Sequence, residues 1–175
     1  MKTYIIDAYN IICKDKNLFD KCNKDRAIAL AGLIELVAVH SDRYPSYQYR
    51  IIADGFIEHF ASTPNPRIHL SFSHTKTADE KIKKMVAQSA SKANLVVISS
   101  DTEVYNFAKI YGVEAVESEA FLKILNGARQ ISAQKMINTK TKEKSKNGIM
   151  RDKPGGMGRR DMQDFLQMFS EPLDE

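Results

Sequence analysis

Four aspartates stand where short structural runs begin or end. Asp7 closes Tyr4-Ile5-Ile6 and opens Asp7-Ala8-Tyr9-Asn10; Asp54 closes Tyr49-Arg50-Ile51-Ile52-Ala53; Asp101 closes Leu95-Val96-Val97-Ile98-Ser99-Ser100. Asp79 lies in Thr77-Ala78-Asp79-Glu80, at the start of a helical pattern. If the strands are parallel, their C-terminal ends share one edge of a sheet, the edge where open α/β folds bind ligands. Carboxylates gathered there repel one another and call for a cation, and hard oxygen donors favour Mg²⁺ or Mn²⁺. Asp7, Asp79 and Asp101 are the expected ligands, with Asp79 in a first helical turn where the helix dipole favours negative charge. Glu80 either completes the set or only caps its own helix. The amide of Asn10 suits a phosphate or a metal-bound water. Thr77, Ser99 and Ser100 are candidate donors, to the substrate or to the carboxylates they would orient. Asp54 precedes Gly55, and Asp-Gly after a strand is also an ordinary turn. Each aspartate alone is more often a turn or cap than a ligand; three such acids in one chain change that balance.

The elements that would position these groups follow from apolar spacing. Residues 3–7, 48–54 and 95–99 are short, apolar and β-branched, as buried strands are. Arg67-Ile68-His69-Leu70-Ser71-Phe72 alternates polar and apolar, as a half-exposed strand does. Residues 113–116 form a final short strand. Ala27, Leu30, Ala31, Ile34, Val37 and Ala38 recur at helical spacing, with Leu33 and Leu36 widening the stripe, so residues 24–40 form an amphipathic helix ended near Tyr44-Pro45. Thr77 and Glu80 make a capping-box pattern for a helix to about Ser91, with Ile82, Met85, Val86 and Ala90 inward. A helix over 102–111 ends at Gly112, and another runs from Ser118 to about Ala128. This alternation implies parallel strands with right-handed crossovers: a three-layer α/β/α domain with a mainly parallel central sheet over residues 1–130. Residues 131–160 read as a basic flexible segment, with Pro154-Gly155-Gly156, and residues 161–175 as a short C-terminal helix and tail.

The 175 residues, 43% of them hydrophobic, suffice for one core and an appendage. No run approaches the roughly 18 apolar residues of a membrane span, and the start Met1-Lys2-Thr3 leads straight into a strand, so a cytoplasmic location is expected. Cys13 and Cys22 are too few for a disulfide framework and are read as free thiols. The four histidines form no paired zinc spacing. Net charge is +4, but residues 135–160 hold nine Lys/Arg against Glu143 and Asp152, which is +7, leaving −3 elsewhere. A basic stretch on an acidic body suggests contact with a polyanion. An Asp-x-Asp pair after the first strand is absent, since Tyr9 follows Asp7 by two, which disfavours a phospho-aspartate phosphohydrolase.

The stretches Ile5-Ile6-Asp7-Ala8-Tyr9-Asn10-Ile11-Ile12, Ile51-Ile52-Ala53-Asp54-Gly55, Thr77-Ala78-Asp79-Glu80-Lys81-Ile82 and Val96-Val97-Ile98-Ser99-Ser100-Asp101 resemble, in order, the NYN domain family and within it the YacP-like ribonucleases, part of the PIN-like nuclease group. The family usually has Gly where this chain has Ala8, and Ala120-Phe121 in the last helix is a weaker match. The resemblance covers residues 1 to about 130. It implies a Mg²⁺- or Mn²⁺-dependent endoribonuclease on single-stranded RNA, with mRNA on the ribosome as the finer assignment. Tyr9 would then stack on a base or pack under its loop, and Arg67, Lys76, Lys81, Lys83 and Lys84 would guide the strand, unless Lys83 and Lys84 are simply the solvated side of their helix. The rivals are an RNA-binding module of the same fold with little catalysis, a Mg²⁺-dependent phosphohydrolase, and a flap-type DNA nuclease. No oligomeric state is implied, although Tyr44, Tyr47 and Tyr49 are candidates for an exposed surface.

Overall fold

A computed structural model describes residues 1–147 apart from His59, Ala61, Ser62, Pro64, Thr75 and Lys76. The expectations for Lys76, for residues 148–160 and for a helix over 161–175 therefore lie outside the described residues. The element order is β1 (Thr3–Asp7), α1 (Ala8–Ile12), α2 (Lys16–Cys22), α3 (Arg26–Arg43), β2 (Gln48–Ala53), β3 (Ile68–Phe72), α4 (Ala78–Gln88), a 3₁₀ turn (Lys92–Asn94), β4 (Leu95–Ile98), α5 (Thr102–Ile110), β5 (Glu114–Val116) and α6 (Ser118–Asn147). Contacts divide the chain into Met1–Lys135, which holds the sheet and its core, and Met136–Glu175.

All strand pairs are parallel, in the order β3-β2-β1-β4-β5, so β1 is central. Alternate side chains of β1 feed two cores. Ile6 packs with Ile11, Leu30, Leu33 and Phe121 on one face, and Ile5 with Ile82, Val86, Val104 and Ala108 on the other. Helices thus cover both faces, which is why the strands read as continuous apolar runs. Each fully buried Ile or Leu contributes about 1.5–3 kcal/mol. Asp7 is paired with Ile52 in register at the end of β1. Parallel β2 and β3 are joined by the stretch 54–67, whose described residues form no helix.

Several details differ from the sequence expectation. The short helices α1 and α2 were not signalled, because five and seven residues are below the length at which helical periodicity shows. They are held by burial of Ala8, Ile11, Ile12 and Leu18 and by the caps Asp7 and Asp15. In α3, Ala31 is exposed and the buried face instead takes in Ala29, His40 and Ser41. In α4 the helix stops at Gln88, leaving Ala90 exposed beyond it. The last helix does not stop near Ala128. It runs to Asn147, so residues 131–147, expected to be flexible, are helical. No Gly or Pro interrupts residues 128–147, and helix-favouring Gln, Lys, Ala and Met dominate the stretch. Tyr49, expected on a surface, is fully buried, its hydroxyl 2.7 Å from His40 Nδ1.

Candidate active site

Parallel crossovers bring the starts of α1, α4, α5 and α6 to the C-terminal edge of the sheet, together with the end of β2. Asp7 is the last residue of β1 and the N-cap of α1, its Oδ1 accepting the Asn10 backbone N–H at 3.2 Å. It is only 5% exposed. Burial pushes its pKa up from 3.8 to about 6, the Asn10 backbone hydrogen bond opposes that, and the neighbouring charges of Asp79 and Asp54 push it further up. Asp79, in the first turn of α4, is also raised, first by burial and then by Asp101, with Asp54 and Glu103 adding to the effect. Asp101 caps α5, its Oδ1 accepting from Glu103 N and Val104 N at 2.9 and 3.0 Å.

Neutral groups hold this acidic edge in place. Ser99, fully buried, donates its hydroxyl to Asp7 Oδ2 at 3.2 Å and accepts from Asp101 N at 3.1 Å, so one side chain orients two acids. Of its two expected roles, positioning a carboxylate is the one its contacts fit. Asn10 Oδ1 accepts from Ser100 N at 2.9 Å and from Ser118 Oγ at 2.7 Å, while Ser100 Oγ accepts from Ser118 N at 3.0 Å. With its carbonyl fixed, the amide Nδ2 of Asn10 keeps its two donors for another partner. Thr77 Oγ1 caps α4 through Glu80 N at 3.2 Å, and the Glu80 carboxylate is exposed. Asp54 Oδ1 accepts from Ala78 N at 2.6 Å and from Ser73 Oγ at 3.2 Å, which ties the end of β2 to the start of α4. It is therefore more than a turn residue.

Two groups that the sequence did not single out complete the arrangement. Ser118 is fully buried and locks Asn10. Arg26, the first residue of α3, donates Nε to the Tyr9 hydroxyl at 2.9 Å and Nη2 to Asp54 O at 2.7 Å, with its guanidinium 4.5 Å from the Tyr9 ring centre. Tyr9 is thus held against Arg26 in this structure. Of the expected guiding cations, Lys81 is turned inward to Ser71 Oγ and Phe72 O, Lys83 pairs with Glu103 at 2.5 Å, and Lys84 is exposed. Arg67 precedes β3, at the opposite edge of the sheet, and pairs with Asp42; the alternating run around it carried no sign of strand direction. Cys13 and Cys22 are free thiols.

The donor chemistry fits a divalent ion: the acids supply hard oxygens, and ionised Asp7 is held in surroundings that disfavour uncompensated charge. Among the described residues, no three His, Cys, Asp or Glu side chains are arranged to hold a metal as they stand. Asp101 and Asp54 each turn an oxygen to backbone N–H groups.

A profile of the YacP-like NYN domain matches residues 4–155. The chain belongs to the YacP-like NYN domain family. This is a nuclease family, and NYN nuclease domains generally use divalent metals. Two crystal structures of Rae1 (YacP) from Bacillus subtilis share the fold. One, of a tryptophan-to-leucine mutant, aligns with a TM-score of 0.66 at 20% identity over 81% of this chain and 85% of that one. The other, without that substitution, aligns at 0.63 and 20% identity over 97% and 92%. No curated protein sequence matches significantly. No helix among the described residues is long and apolar enough to cross a membrane.

Proposed function

We propose that this YacP-like NYN protein is a Mg²⁺- or Mn²⁺-dependent endoribonuclease of the cytoplasm that hydrolyses phosphodiester bonds in single-stranded RNA. The observation that carries the reading is Asp7 at the end of the central strand, destabilised as an anion first by burial and then by the charges of Asp79 and Asp54. Asp7, Asp79 and Asp101 would hold the ion, with Glu80 as a further carboxylate at the exposed side. A bound divalent ion supplies phosphoryl charge neutralisation and a water of lowered pKa.

The chain's own groups do the rest. Ser99 holds the Asp7 carboxylate and the Asp101 backbone N–H in place at this edge. Asn10, anchored through its carbonyl, offers Nδ2 to a non-bridging phosphate oxygen. The starts of α4 and α5 direct backbone N–H dipoles toward the same edge, which offsets part of the repulsion between the acids and the RNA backbone. We extend the reading to mRNA presented by the ribosome on the strength of the family resemblance.

The test is cleavage of an end-labelled single-stranded RNA with Mn²⁺, Mg²⁺ or EDTA, wild type beside Asp7→Asn, with and without translating ribosomes. Metal-dependent cutting that Asp7→Asn loses is expected. Salt-sensitive RNA binding without cutting in any arm would replace this reading with a binding module of the same fold.

A further inference from the structure

The acidic edge has an aromatic flank that catalysis by the carboxylates does not use. After β2 and β3 end, their backbones stay paired, Ser73 N donating to Ala53 O at 3.0 Å and His74 N to Gly55 O at 3.3 Å, and the Ser73 side chain adds a bond, its Oγ accepting from Gly55 N at 3.2 Å. This pairing uses a positive φ at both Gly55 (77°) and His74 (51°). Its result is to set Phe56 beside His74, ring centres 5.1 Å apart and planes 30° from parallel. Phe72, packed against the core, meets Phe56 edge-on at 5.8 Å and His74 edge-on at 6.5 Å, buttressing the pair. Phe56 is 59% exposed, and His74 is exposed as well. The same backbone carries Asp54, whose carboxylate grips Ser73 and the start of α4 one residue before Asp79. An exposed ring held by two left-handed residues, two positions from an acid of the site, is not explained by core packing.

We propose that Phe56, backed by His74, is a stacking platform for one unpaired nucleobase of the RNA strand whose phosphate lies at Asp7, Asp79 and Asp101. The proposal rests on the nuclease reading and deepens it. It assigns the β2–β3 side of the sheet edge to the base next to the scissile phosphate. A π-face accepts any base, so the platform confers preference for single strands over duplexes, whose bases are already stacked, and little sequence preference. It also suits an acidic edge: a stacked base adds affinity where carboxylates repel the backbone.

The experiment uses the full chain and short RNAs carrying 2-aminopurine at successive positions, whose fluorescence is quenched on stacking. Binding is followed in EDTA, and cleavage is followed separately with Mn²⁺. Wild type should quench at one position. Phe56→Ala should abolish that quenching and weaken binding about tenfold, the loss of one stacked base, while Phe56→Tyr retains both. An RNA that is abasic at the quenched position should bind wild type and Phe56→Ala equally. Quenching that survives in Phe56→Ala, or equal loss for the abasic RNA, would overturn the platform and leave the ring to a protein partner. Neither result touches the nuclease reading, which stands or falls on the Mn²⁺ arm.

Discussion

At the residue scale, the ionisation of Asp7 links stability to function. Its folded pKa of about 6 exceeds the reference 3.8, so the folded chain holds a proton that the unfolded chain releases. The raised value therefore costs nothing below pH 4. The cost grows as pH rises from about 4 to 6 and is complete above 6, on the order of 3 kcal/mol at 1.36 kcal/mol per unit. In EDTA, Asp7→Asn should unfold at a higher temperature than wild type at pH 7, with the gap closing toward pH 4. Added Mg²⁺ or Mn²⁺ should raise the midpoint of wild type far more than that of the variant. A gap independent of pH would mean that Asp7 is not the group strained by its surroundings. Ser118 offers a second prediction. Ser118→Ala removes the 2.7 Å hydrogen bond to Asn10 but leaves the Ser100 N–H in place. Unfolding should shift by only about 2–4 °C, as for the loss of about 1 kcal/mol, while kcat falls about tenfold, as when a positioning hydrogen bond is lost. The aspartates were legible in the sequence because a carboxylate after an apolar run is a local pattern. Ser118 was not, because it lies 108 positions from the residue it holds.

At the element scale, the placement of α4 decides where Asp79 stands, and Asp54 fastens that helix. Asp54→Ala removes the acceptor for both Ala78 N and Ser73 Oγ; about 1–3 kcal/mol of stability should be lost, with most of the cleavage. Asp54→Asn keeps an acceptor oxygen at the same place, so thermal unfolding should stay within about 2 °C of wild type and cleavage should largely survive. If Asp54→Asn is instead as inactive as Asp7→Asn with an unchanged melting temperature, Asp54 is a metal ligand rather than a fastener. The strands and the longer helices α3, α4 and α5 were readable from period and caps, and their parallel order placed the acids on one edge. The failures have physical causes. Helices α1 and α2 are too short to carry a period and exist through burial and Asp caps. Helix α6 continues to Asn147 through a stretch free of Gly and Pro and rich in helix-favouring residues, which the apolar pattern did not show. Arg67 was assigned to the site although it stands before the first residue of β3, because the alternating run did not show that this strand is parallel to β2.

At the scale of the whole molecule, the charge distribution poses a problem that the site alone does not solve. The chain apart from residues 135–160 carries −3, and its acids gather where RNA phosphates would lie, while those 26 residues carry +7. Of the described lysines near the site, Lys81 is hydrogen-bonded inward and Lys83 is paired with Glu103, which leaves Lys84 exposed. Lys140, Lys142, Lys144 and Lys146 form a dense block of that positive charge. Replacing all four with Gln keeps helix propensity and removes four charges from the unit Met136–Glu175 while leaving every residue of the unit Met1–Lys135 unchanged. If each touches a phosphate of a single strand, the slope of log affinity against log salt should flatten by about 3, at about 0.7 per contact. RNA binding should weaken most at low salt, and cleavage at saturating RNA should be retained, because the carboxylates are untouched. An unchanged slope, measured by fluorescence anisotropy from about 50 to 300 mM salt, over which the Debye length changes roughly twofold, would assign that charge to something other than RNA. An unchanged slope together with lost cleavage on ribosomes would assign it to the surface that presents the substrate.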